Sequence, residues 1–139
     1  MQKIWTIIEG GCIAVGAAVG WFLGEFNGFL IALIVFMGVD ILTGIIKAAV
    51  KHEVSSKVSF QGLAKKVFII LVVGLANVID TMIFKEAAVL RTSVIFFYIA
   101  NEGISIIENM SGIGLPIPKK LINALAEIKK EGGEEDEAG

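Results

Sequence analysis

The chain has 139 residues, 55% hydrophobic and only 19% charged, with a mean hydropathy of +0.80, whereas a soluble domain is usually nearer half apolar and a quarter charged. The net charge of −2 conceals basic residues that flank apolar runs and an acidic C-terminal end, a pattern unlike the basic face of a nucleic-acid-binding fold. One cysteine (Cys12) and one histidine (His52) rule out an internal disulfide, a metal-ligand set and a Cys–His catalytic pair.

The first apolar run covers residues 4–23 and is interrupted by Thr6 and Glu9. At about 1.5 Å per residue it is long enough to cross roughly 30 Å of hydrocarbon. Lys3 and the small residues Ala14, Gly16, Ala17 and Ala18 imitate a secretory signal, but a second span follows instead of a polar mature domain. Gly16, Gly20, Gly24 and Gly28 recur every four residues and leave one helical face nearly bare. Such faces let helices approach closely in lipid, within one chain or between copies. Gly16, Gly20 and Gly24, with Gly44 in the next span, are the candidate helix-packing face.

The second span covers residues 26–46 and holds one acid, Asp40, somewhat towards its C-terminal side. A short connector follows, with Lys47, Lys51, Lys57, Lys65 and Lys66 against the single acid Glu53. The third span is 67–84, with Asn77 and Asp80 near its far end. Lys85 and Glu86 form the next turn, and the fourth span covers 87–107. Pro116 and Pro118 stop any helix there. Residues 119–130 read as an amphipathic helix with Leu121, Ile122, Leu125 and Ile128 on one face, suited to an anionic leaflet. Residues 132–139 read as a flexible acidic tail after a single helical membrane domain, 1–131.

Short loops dense in lysine and arginine stay on the cytoplasmic side. With the central connector inside, ten of the twelve basic residues are cytoplasmic and only Lys85 and Arg91 lie outside. The expected architecture is therefore all-α and polytopic, with four spans and both termini cytoplasmic. A three-span arrangement, with the glycine-rich first run on or out of the membrane, is the alternative.

No catalytic constellation or cofactor motif is present, and the chain reads as a non-enzyme. What stands out is acid inside the membrane, where a central carboxylate costs about 2.5–3.5 kcal/mol on insertion scales and so faces a partner, a cavity or water. Asp40 and Glu102 lie at similar depth, and Glu9 falls in the cytoplasmic half of its run. Asp40 is read either as paired with a lysine of the connector or as part of a pore or assembly surface. Tyr98, Asn101, Glu102, Ser105, Glu108 and Asn109 follow three-and-four spacing, a polar stripe about three turns long. The candidate pore or assembly residues are thus Asp40, Asn101, Glu102, Ser105 and Glu108, while Asp80 reads as a solvated interfacial acid.

Asp40-Ile41-Leu42-Thr43-Gly44, Ser55-Ser56, Gly62-Leu63 with Lys65-Lys66, Asn101-Glu102 with Ser105, Glu108-Asn109 and Gly114-Leu115-Pro116-Ile117-Pro118 stand in a recurrent order and spacing. In these the sequence resembles a bacteriophage holin family that also includes holin-like proteins tied to clostridial toxin release. The resemblance covers roughly Gly38 to Leu121. It implies a small protein of the bacterial (host) inner membrane that forms homo-oligomers and opens lesions for a peptidoglycan-degrading endolysin. It implies no catalytic, cofactor or metal site. A small ion channel or secondary transporter using Asp40 and Glu102, and a non-conducting adaptor acting through the acidic tail, are the other readings.

Overall fold

In the computed structural model, residues 1–85 and 87–137 are described, and side chains as far as Glu131. Five helices follow one another: α1 (Gln2–Leu23), α2 (Gly28–Val50), α3 (Ser56–Val78, continued by a π-helical segment, Ile79–Phe84), α4 (Val89–Gly112) and α5 (Lys119–Glu137). No strand occurs among the described residues. Four of the helices, α1, α2, α3 with its π-helical end, and α4, are long and apolar enough to cross a membrane. The protein is a multi-pass membrane protein, and α1 qualifies as a span alongside the other three. Trp5 and Trp21, both exposed, stand near the two ends of α1, about 24 Å apart along the axis, where indole rings anchor a span at the two interfaces.

Local chemistry fixes the helix ends. α1 ends at Gly24, whose φ of 82° takes the left-handed conformation open to glycine without strain. A Cβ there would also collide with the Asn77 amide. Asn27 caps α2 by accepting the Leu30 N–H at 3.1 Å. The glycine row is therefore not one helical face: Gly24 is a turn residue and Gly28 opens the next helix.

The connector after α2 is much shorter than the lysine content suggests. It comprises residues 51–55, turned by His52 at φ 54°. Lys47 belongs to α2, and Lys57, Lys65 and Lys66 belong to α3. Lysine is a good helix former, and residues 56–66 hold no proline, so the backbone ladder runs on past the apolar boundary. α4 likewise passes Ile107 and reaches Gly112. Where a flexible tail was expected from Gly132, the helix of α5 continues to Glu137; Ala138 and Gly139 lie outside the described residues.

The core is built by Leu23 of α1, Leu30, Leu33 and Met37 of α2, Ile69 and Val73 of α3, and Ile95 and Ile99 of α4. α2 and α4 make the most extensive contact, with the rings of Phe29 and Phe96 4.8 Å apart. α1 packs on α3 near its C-terminal end and is otherwise exposed from Met1 to Val19. Phe22 lies over Gly74, leaving no room for a Cβ. Gly74→Leu should therefore force the ring out, costing about 1–3 kcal/mol as overpacking does and lowering the unfolding midpoint in detergent micelles. An unchanged midpoint would show that α1 does not depend on this seat.

Contacts between helix ends place the α1–α2 turn beside Asn77 and Arg91, at the C-terminal end of α3 and the start of α4. At the other end Lys47 of α2 lies against Gly112 of α4, where a Cβ would approach its Cε to 2.9 Å. The four spans thus alternate in direction, and the lysine-rich ends share one side. In a Cys12→Ser background, single cysteines replacing Glu25, Glu53 and Ala87 should divide accordingly. An impermeant thiol reagent on intact cells should label the first and third and spare the second. Labelling of the Glu53 site alone would invert the topology.

Candidate functional site

α3 shows one buried face at helical spacing: Lys66, Ile69, Val73, Asn77 and, in the π-helical segment, Asp80. Lys66 is therefore not a loop residue but a cation turned into the bundle, 7% exposed. Its Nζ donates to Asp40 Oδ2 of α2 and to Glu102 Oε2 of α4. Asn109 of α4 completes the cluster. Its Nδ2 donates to Asp40 Oδ1 at 3.2 Å and to Thr43 Oγ1 at 3.1 Å. Three helices are thus joined by one ammonium and two carboxylates, a group of net charge −1 when all are ionised. Pairing of that kind offsets part of the cost of bringing three charged side chains into lipid.

Of the sequence candidates, Asp40 and Glu102 come together, and the pairing of Asp40 with a lysine is the arrangement found. That lysine sits on α3 and serves both acids. Asn101 and Ser105 are half-buried and Glu108 is exposed. These three, with Tyr98 and Glu102, form one wall of an open groove of about 450 Å³ that Lys65, Phe68 and Ile69 of α3 and Lys129 of α5 also line. Gly44 faces α4, and a Cβ on it would meet Asn109 Nδ2 at an ordinary 3.6 Å. A Cβ on Gly16 or Gly20 would meet nothing within 4 Å. Glu9 is exposed on α1. Among the described residues no group of three His, Cys, Asp or Glu side chains is placed to hold a metal.

A second polar node sits at the opposite end of the bundle. Asp80 is not a solvated interfacial acid: it is 2% exposed. Its carboxylate accepts the N–H of Leu90 at 3.2 Å and of Arg91 at 2.8 Å. It thereby caps α4, whose own N-cap, Ala88, offers no side-chain bond. Arg91, 1% exposed, donates Nε to Leu23 O at 2.6 Å and a terminal nitrogen to Glu25 O. Asn77 Nδ2 donates to Phe22 O at 3.1 Å. These donors satisfy the last carbonyls of α1, and a cation suits the negative end of its dipole. In the sequence Arg91 reads only as an outside charge, and nothing in its neighbours marks it as a buried tie.

The model of the bacteriophage holin family matches residues 17–130, beginning earlier and ending later than the motifs between Gly38 and Leu121. The chain is 37% identical over 131 residues to an uncharacterized 14.9 kDa protein of Clostridium perfringens, covering 94% of this chain and 99% of that one. It is 40% identical over 103 residues to the uncharacterized protein YqxH of Bacillus subtilis, covering 74% of this chain and 73% of the other. It is 38% identical over 109 residues to a probable holin of Bacillus phage phi105, covering 78% of this chain and 80% of the phage protein. No solved structure matches it. The bundle, its interior charges and these relationships agree: the chain belongs to the bacteriophage holin family.

Proposed function

We propose that the protein is a non-enzymatic holin that accumulates in the bacterial membrane, assembles with its own copies and opens lesions through which an endolysin, or a toxin, leaves the cell. The observation that carries this reading is the α4 face formed by Tyr98, Asn101, Glu102, Ser105 and Glu108, a polar strip inside a span that borders a groove in the single chain. Polar faces of that length within a membrane pack on one another or line water. Assembly offers them both, since the strips of several copies can surround a lesion. Membership of the holin family supports the same role.

A transporter fits less well. It needs a vacant site near the midplane to take up a proton or cation, whereas Asp40 and Glu102 are already occupied by the chain's own Lys66. Expressed beside an endolysin that carries no export signal, the protein should cause sudden lysis after a lag that reflects accumulation to a critical density. Without the endolysin, growth should stop and the membrane potential collapse while cells stay whole. A potential that survives heavy accumulation would end this reading.

A further inference from the structure

We propose that α5 is a docked cover along one side of the groove bordered by the polar face of α4 in the single chain and must swing away before that face can meet another copy; this rests on the holin reading above. α5 folds back along α4 after the turn at Gly114, φ 82°, and the Pro116–Pro118 segment. Leu125 is its anchor. It is 4% exposed and sits in the notch left by Gly103, where a Cβ would lie 2.7 Å from Leu125 Cδ2 and 3.2 Å from Phe36. One helical turn further on, Lys129 reaches the groove beside Glu102 and Glu108. The cover thus brings a lysine to the rim of a groove that Glu108 also lines, while Glu102 is held by Lys66.

Docking satisfies α5 only in part. Gly103 lies nine residues before the end of α4, about 14 Å into the span, so α5 brings its charged side chains alongside a membrane helix. Two of its four large apolar residues stay about half exposed, Leu121 at 48% and Ile122 at 41%. Laid on the membrane surface instead, α5 would bury Leu121, Ile122, Leu125 and Ile128 together in the interface and keep its lysines at the headgroups. The helix therefore has two competing resting places. The turn that joins it to α4, with a glycine and two prolines that belong to neither helix, lets it exchange them without unwinding either one. A second copy offering its own polar strip supplies the difference that favours release.

The test locks the cover. In a Cys12→Ser background, Gly103→Cys with Leu125→Cys places two thiols across the notch, and loss of the leucine makes room for the new Cβ. Diamide in expressing cells should join them within one chain, read as a faster-migrating monomer on a non-reducing gel. The locked protein should accumulate normally yet leave the membrane potential intact for several times the ordinary lag, and dithiothreitol should restore depolarisation. Either single-cysteine variant, its anchor weakened and nothing locked, should depolarise no later than wild type, with diamide or without it. Leu125→Asp, which unseats the anchor, should shorten the lag severalfold. Failure of the thiols to join, or depolarisation by the locked chain on the normal schedule, would overturn the cover while leaving the holin reading intact. A wild-type chain that never depolarises cells would remove both.

Discussion

Replacing Lys66 by leucine should remove most of the protein from the membrane fraction and lower the unfolding midpoint of what remains more than any other single substitution in the bundle. Lys66 is, among the described residues, the one cation paired with Asp40 and Glu102. Removing one partner of a buried ion pair typically costs about 3–5 kcal/mol, because an uncompensated charge stays behind. Here two stay behind, facing each other across α2 and α4. Restoring neutrality should reverse the damage. Lys66→Leu combined with Asp40→Asn and Glu102→Gln should recover most of the lost accumulation, since amides that size still bond and carry no charge. Glu102→Gln alone should be mild, as it leaves Lys66 paired one to one with Asp40. Immunoblots of membrane fractions and melting in micelles read all three; a Lys66→Leu chain that accumulates and melts like wild type would show that the cluster is not what joins the spans.

The second large effect is expected at Arg91. Its guanidinium ties α4 to the carbonyl of Leu23, which no turn of α1 satisfies, and to that of Glu25, which also accepts the Asn27 N–H. Hydrogen bonds to charged groups contribute about 1.5–3 kcal/mol each, and Arg91→Leu would leave the buried Leu23 carbonyl without its donor. The substitution should free α1, which packs mainly on α3. Amides over the last turn of α1 should then exchange hydrogen at least tenfold faster in micelles, while those of α2 and α4 change less. Arg91→Lys should rescue little, because an ammonium lacks the planar fork that reaches two carbonyls at once. Equal exchange in Arg91→Leu and wild type would remove the tie from the account.

The four spans were legible because lipid demands long apolar runs and because charge alone marks their ends. The same rule misplaced the lysines: a positive residue beside an apolar run reads as loop, yet Lys66 lies one helical turn before Ile69 and two before Val73 on a buried face. The three-and-four spacing that revealed the stripe on α4 was present in α3, and applied across the presumed loop boundary it picks out Lys66. Asp40 and Glu102 were found as costly acids, but the partner they share is set by how α2, α3 and α4 cross. Arg91 and Asp80 were harder still. Their partners are mostly backbone groups of distant segments, and backbone carries no sequence signal. The amphipathic pattern of residues 119–130 identified a helix and an apolar face but not the notch at Gly103, since a glycine inside a span looks the same whether it faces lipid or a leucine.

Release from vesicles tests the central claim most directly, because it needs neither host nor endolysin. The purified protein is reconstituted at rising protein-to-lipid ratio into vesicles that hold a small dye together with a fluorescent dextran the size of a folded enzyme. A holin should release nothing at low density and then, beyond a sharp threshold, release dye and dextran together without any added substrate. Saturable leakage of the dye or of ions at every density, with the dextran retained throughout, would contradict it.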